Sequence, residues 1–300
     1  MALSVNNIVK KYGSYTAVDG LSFEMDAPGV FALLGTNGAG KTTSIRIILG
    51  MLAADSGSVK WNGKEFLAAE KPVGYLAEER GLYPKYKISD QLVYFLTLRG
   101  MTKANAKRAL DYWLDRLNVT EYKNKTAEQL SKGNQQKIQL IAALAPNPEL
   151  IILDEPLSGL DPVNAELFKG VIREEIQKNK YIIMSSHQMT TIEEFCRDIV
   201  ILNKGQTLLQ GNLNEIKKGY GRVKLTVKAD GDIRAMAEEC GLAVTEDTPN
   251  GTSFNVKSEE QAHRLLNMII SSRIPLIKYE LREPTLNEIF IEKAGGTNED

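Results

Sequence analysis

The chain has 300 residues, 43% of them hydrophobic and 25% charged, enough for one large or two ordinary domains with a sizeable core. Its 37 Lys and Arg against 38 Asp and Glu leave a formal net charge of −1, which excludes a global basic field of the kind that draws nucleic acid or an anionic membrane. Two cysteines, Cys196 and Cys240, lie far apart without metal-type spacing, which argues against a disulfide framework or a zinc site and for a reducing compartment. Met1 to Asn7 carry neither a basic nor an apolar run, so no signal peptide is expected. No stretch reaches the roughly 18 apolar residues of a spanning helix, so any membrane-spanning part must come from another chain.

In chain order, residues 3–9 and 18–25 cluster apolar side chains around Tyr12-Gly13-Ser14 and predict a β-hairpin with a long loop. The continuous apolar run from Val30 to Leu34 reads as a buried strand, and Ile45 to Leu49 as the start of a helix. Val59-Lys60-Trp61 and Lys64-Glu65-Phe66 flank Asn62-Gly63, the turn signal of a second hairpin. From about 85 to 146 the pattern is helical: Ser89 is expected to cap a helix running to Arg99 and Thr102 one running to about Asn118, with Gly133 to Ala145 following. Leu150–Leu153 and Tyr181–Met184 return to continuous apolar strands, the kind buried on both faces of a parallel sheet. Ile199–Leu202 and Gln206–Leu209, around Asn203-Lys204-Gly205, close with a hairpin.

A boundary near Gly219-Tyr220-Gly221 divides 1–218 from 219–300. Beyond it the expected order is strand 222–228, helix 232–240, strands 242–246 and 252–257 joined through Asn250-Gly251, helix 258–271 and strand 275–282. That is the split βαβ order of ferredoxin-like folds. An amphipathic helix, 284–294, and a polar tail end the chain.

Between the first buried strand and its helix stand Gly35-Thr36-Asn37-Gly38-Ala39-Gly40-Lys41-Thr42, with Thr43 behind them. Strand, glycine loop and helix form the context of a phosphate-binding loop. Glycine lets the backbone bend so that several N–H groups point inward together, and these with the helix N-terminus meet phosphate oxygens. Lys41 adds a full charge at the β- and γ-phosphates, and the Thr42 hydroxyl is placed to ligate Mg²⁺. The chain is therefore expected to bind a nucleoside triphosphate. Leu150–Leu153 ends in Asp154-Glu155, and ligands of α/β sheets lie at the carboxyl ends of the strands. Asp154 is then a Mg²⁺ partner, and Glu155 the group that orients and deprotonates an attacking water.

Leu130-Ser131-Lys132-Gly133-Asn134 lies just upstream of this acidic pair, Ser158-Gly159-Leu160-Asp161 just downstream, and Ser185-Ser186-His187 ends the next strand. Together these motifs resemble the ATP-binding-cassette (ABC) ATPases, in order, from residue 3 to about 215. The resemblance implies an α/β P-loop NTPase cassette with a mixed sheet core, an antiparallel β subdomain and a helical subdomain (about 85–146), followed by a small α+β domain. It implies ATP with Mg²⁺ as cofactors, Tyr12 stacked on adenine, and Ser131 and Gly133 meeting the γ-phosphate held by the opposite subunit. His187 resembles the switch histidine and Asp161 the loop that links two sites. The sequence departs from the family pattern in two motifs: in the signature, Lys132 and Asn134 stand where Gly and Gln are usual. Glu78, in Gly74-Tyr75-Leu76-Ala77-Glu78, replaces the usual Q-loop glutamine. A carboxylate there ligates Mg²⁺ more strongly than an amide but adds negative charge near the triphosphate, which Glu79-Arg80 could partly neutralise.

The resemblance to single-cassette exporter ATPases extends to the tail, Pro284-Thr285-Leu286-Asn287-Glu288-Ile289-Phe290. It implies an ATPase on the inner face of the cell membrane, dimerising with itself or a sister subunit. It would drive separate transmembrane permease subunits through the Glu78 segment and the helices at 85–118, without nucleic acid. The alternative is a soluble ABC ATPase of nucleic acid or the ribosome, against which stand a single phosphate loop, no useful heptad run and near-zero net charge. Residues 219–300 are expected to form a regulatory or dimer-stabilising domain that holds no catalytic residue. His263, Lys123, Lys125 and Lys132 read as surface groups, Trp61 and Trp113 as packing anchors, and Cys196, placed on a helix, as a small buried hydrophobe.

Overall fold

A computed structural model describes residues 2–68, 73–79 and 81–295. The chain divides into two compact units, Met1–Gln210 and Gly211–Asp300.

The first unit begins with β1 (Leu3–Tyr12) and β2 (Tyr15–Met25), an antiparallel pair closed by Gly13-Ser14. The strands extend further than their apolar pattern, and Gly13 at φ 60° turns the chain in two residues where a long loop was expected. Next come β3 (Gly29–Gly35), α1 (Lys41–Ile48), β4 (Ser56–Trp61), β5 (Lys64–Glu65) and β6 (Val73–Leu76). The helical segment holds α2 (Ile88–Leu98), α3 (Lys103–Arg116) and α4 (Lys132–Leu144). The unit continues through β7 (Leu150–Asp154), α5 (Pro162–Gln177), β8 (Tyr181–Ser186), α6 (Met189–Ile192), β9 (Cys196–Asn203) and β10 (Gln206–Asn212).

Two sheets result: β2-β1-β4-β5, and a six-stranded sheet ordered β10-β9-β3-β8-β7-β6. In the latter, β3 runs parallel to β8 and β9, and β7 parallel to β6 and β8. Their continuous apolar runs are buried, with Tyr75 and Tyr181 half-buried, as strands covered on both faces require. Phe23 of β2 stacks on Phe31 of β3 with centroids 4.2 Å apart, so the two sheets share one core. Trp61 packs edge-on to Tyr181 at 5.3 Å, and Trp113 is buried in the helical segment.

Two local expectations are corrected. Lys87, not Ser89, occupies the N-cap of α2, because the carbonyls of Lys125 and Lys123 take the N–H groups of Ile88 and Ser89. With its first turn satisfied by backbone, α2 needs no hydroxyl cap. Cys196 opens strand β9 and is not on a helix; it is buried nonetheless. Thr102 and Ser131 do cap α3 and α4, accepting from the N–H groups of Asn105 and Asn134.

The second unit contains α7 (Leu213–Tyr220), capped by Asn212, then β11 (Lys224–Ala229), α8 (Arg234–Glu239), β12 (Val244–Thr248), β13 (Gly251–Asn255), α9 (Glu259–Ser271), β14 (Leu276–Arg282) and α10 (Leu286–Gly295). The division falls before α7, eight residues ahead of the 218/219 boundary read from Gly219-Tyr220-Gly221: those glycines end α7 rather than link two domains. The sheet order β12-β13-β11-β14, with antiparallel neighbours, is that of a split βαβ fold. Leu225, Val227 and Phe254 face α8 and α9 and are fully buried with Leu265 and Ile269. The polar tail from 296 lies outside the described residues.

Candidate nucleotide site

The glycine loop occupies the turn between β3 and α1. Gly35 (φ 147°) and Gly40 (φ 105°) sit where a Cβ would collide with the carbonyls of Leu202 and Ala17, so neither position accepts a side chain. Ser44 returns its hydroxyl to the Gly40 carbonyl at 2.9 Å and steadies the first turn of α1. Lys41 opens that helix and is 6% exposed. Its Nζ donates to the carbonyls of Gly35 (2.8 Å) and Thr36 (3.2 Å) and lies 3.3 Å from Glu155 Oε1, an ion pair without hydrogen-bond alignment.

β7 delivers the two acids. Asp154 stands in register opposite Ser185 of β8, whose hydroxyl donates to Asp154 Oδ1 and accepts the Glu155 N–H at 3.0 Å. Burial raises the Asp154 carboxyl above its ordinary value, while the Ser185 and Thr42 hydroxyls beside it pull the other way. Glu155 has φ 51°, a left-handed conformation that turns its side chain back over the glycine loop. His187, just past β8, meets Glu155 Oε2 through Nδ1 at 2.9 Å. Glu155 is thus held between Lys41 on one oxygen and His187 on the other.

A cleft of about 290 Å³ opens here, lined by Tyr12, Tyr15, Asn37 to Thr43, Glu78 and Glu155. Tyr12 and Tyr15 are half exposed at its mouth, ready to present an aromatic face, and the Tyr15 hydroxyl donates to the Gly38 carbonyl at 3.3 Å. Glu78 stands exposed on the rim, while Arg80, expected to offset it, lies outside the described residues. Ser131, Gly133 and Asp161 do not line this cleft. Ser131 is exposed at the N-terminus of α4, and Gly133 lies against Leu160 and Asn164, beside Asp161 at the N-cap of α5. Backbone and side-chain hydrogen bonds from Asn164 lower the Asp161 carboxyl below its ordinary value.

Sequence reasoning assigned no role to three kinds of residue. Ser185 was legible only through the strand register that sets it opposite Asp154. Tyr15 follows Tyr12 by three residues, and a short turn between them would have pointed to it. The amides of Gln136 and Gln139 on α4 donate to the carbonyls of Pro156 (2.8 Å) and Glu79 (3.2 Å), tying the Ser131 helix to both the acidic strand end and the Glu78 segment. Nothing local in the sequence announces those ties.

Hydroxyl and carboxylate oxygens are the donors a hard Mg²⁺ ion takes. Asp154 Oδ2 is buried without a hydrogen bond, so the pair Thr42 and Asp154 fits such an ion, with Glu78 at the rim. Among the described residues no three His, Cys, Asp or Glu cluster as a closed metal site. Mg²⁺ needs none, because it keeps water and phosphate oxygens in its shell.

The pattern described as "ABC transporter" matches residues 18–158, and "ATP-binding protein DrrA1-3-like, C-terminal domain" matches residues 211–294. An uncharacterised ABC transporter ATP-binding protein of Bacillus subtilis, YhaQ, is 44% identical over 298 residues, 99% of this chain and 100% of the relative. The chain belongs to the ABC transporter ATP-binding proteins. The linearmycin resistance ATP-binding protein LnrL of B. subtilis is 30% identical over 99% of this chain and 100% of its own length. The Nod factor export ATP-binding protein I of Ralstonia nicotianae is 30% identical over 98% of this chain and 94% of its own length. A solved ATP-binding subunit of an ABC transporter superposes with a TM-score of 0.68 at 27% identity, over 74% of this chain and 94% of that one. ABC cassettes are nucleotide-binding ATPases that work with transmembrane partners, and so this chain is an ATPase. None of its described helices is long and apolar enough to cross a membrane.

Proposed function

We propose that this chain is the ATP-hydrolysing subunit of an ABC exporter, acting as a head-to-tail dimer beneath separate transmembrane subunits on the inner face of the membrane. The observation that carries the dimer is the division of the site. Lys41, Thr42, Asp154, Glu155 and His187 converge in one chain, while Ser131 and Gly133 lie off the cleft at an exposed helix N-terminus. A second copy would bring its Ser131 and Gly133 to the γ-phosphate, where a hydroxyl and a helix N-terminus suit an anion. The exporter direction draws on the relatives named for Nod factor export and linearmycin resistance.

In this reading the loop N–H groups of residues 36–42 and the Lys41 ammonium bind the β- and γ-phosphates, and Tyr12 covers the base. Thr42, Asp154 and Glu78 would hold Mg²⁺, which would supply positive charge to offset the charge developing on the phosphates. Glu155 takes a proton from the water that attacks the γ-phosphorus as the bond to the β-phosphate oxygen breaks. His187 fixes the Glu155 carboxylate through Oε2, leaving Oε1 for the water once Lys41 turns to phosphate. Asp161, beside the Ser131 helix, belongs to the joint between the two sites. Substituting Glu155→Gln keeps the shape and removes the base. Phosphate release should fall about 10²–10⁴-fold while ATP still binds, and near-parental turnover would overturn the assignment.

A further inference from the structure

The sheet of the second unit has two edges of opposite character. β12, at one end, reads Val-Thr-Glu-Asp-Thr and carries a register shift against β13 between Val244 and Glu246. Laid antiparallel on a second copy of itself about its centre, it would set Glu246 against Glu246, a like-charge pair that opposes association. β14, at the other end, has seven residues, Leu-Ile-Lys-Tyr-Glu-Leu-Arg, and exposes Ile277 (56%) and Leu276 (38%). A long edge strand with apolar side chains in water is a template for another strand.

Its sequence is complementary to itself. Turned about a two-fold axis through Tyr279, an antiparallel copy sets Lys278 opposite Glu280, and Glu280 opposite Lys278. The same register sets Ile277 opposite Leu281, and the reverse. Opposed residues of an antiparallel pair project to the same face, so the charges meet on the solvated face and the aliphatic chains on the helix-covered face. Within one chain Lys278 and Glu280 already pair at 2.8 Å along the strand, so a second copy converts one ion pair into a four-charge ladder. An interface in which residue i meets j and j meets i is the isologous form of a two-fold dimer.

We propose that the β14 edge is a dimerisation surface whose occupant is β14 of a second copy, joining two four-stranded sheets into one of eight. It deepens the dimer reading above and rests on it only in that two copies meet; it needs no nucleotide, whereas the cassette contact does.

Sedimentation velocity of the full chain without nucleotide tests it. The parent should form a concentration-dependent dimer. Lys278→Glu and Glu280→Lys, both at exposed positions, should each weaken it by about tenfold or more, since each makes two like-charge pairs. An equimolar mixture of the two variants restores both opposite pairs and should dimerise as the parent does. A parent that is monomeric without nucleotide, single variants that dimerise like the parent, or a mixture without rescue would each overturn the proposal, as would a permease segment taking this edge instead. ATP affinity is measured on the same samples: if it is absent while the edge still pairs, the ATPase reading fails and this one stands.

Discussion

Glu155 and Lys41 show how a site residue earns its position before any substrate arrives. The glutamate is 5% exposed in a left-handed backbone conformation, and its nearest countercharge is the lysine that the motif assigns to phosphate. Lys41→Ala should abolish ATP binding, read by calorimetry, because the site loses its one full charge at the phosphates. It should also destabilise the chain by about 3 kcal/mol, since removing one partner strands a buried charge. Denaturant unfolding of Lys41→Ala/Glu155→Gln separates the causes: the double variant should recover part of the loss, and no recovery would refute the ion-pair account. The motif spelled out Lys41, Thr42, Asp154 and Glu155, because phosphate chemistry constrains residue type and spacing together. It could not spell out Ser185, whose role comes from a register thirty residues away in sequence.

At the scale of elements, strands and helices were legible wherever periodicity was clean, and some errors fell where distant backbone supplied a partner. The start of α2 is one case, taken over by the carbonyls of Lys123 and Lys125. The start of α10 shows the opposite, a cap written locally. Thr285 and Glu288 exchange hydrogen bonds between side chain and N–H, and Arg282 from β14 grips both Glu288 oxygens at 2.7 and 3.1 Å. Partial burial works against the Glu288 carboxylate, but the bonds from Arg282 and Thr285 outweigh it and hold its pKa at about 2, below the ordinary 4.5. A lowered carboxyl pKa stabilises the fold above the unfolded value and loses that contribution as pH falls through the folded one. Thermal melts from pH 6 to 2.5 should therefore show the parent losing stability below about pH 4.5, with Glu288→Gln less stable at neutrality and flatter across that window. Parallel curves would refute the grip.

At the scale of the molecule, the order of motifs announced a cassette and the alternation of segments announced a split βαβ unit, and both are present. The exact division was not legible, because glycines that end a helix resemble glycines that open a linker. If activity needs two copies, specific ATPase rate should rise with protein concentration at fixed ATP. A Lys41→Ala chain mixed with a Ser131→Arg chain, each inactive alone, should recover activity through one composite site per heterodimer. A rate flat with concentration, from a chain that sediments as a monomer with ATP, would contradict the arrangement.

The ties from Gln136 and Gln139 reach carbonyl oxygens, not side chains. A bond to the main chain is blind to the side chain of the residue that accepts it, so neither tie is made by the side chain at position 79 or 156. The helix that carries both glutamines is also held by Gln135, whose amide donates to the carbonyls of Ala127 and Leu130, and by its buried Ile138, Leu140 and Ile141. A side chain at exposed position 79 can therefore be exchanged while the Gln139 bond beneath it stays intact.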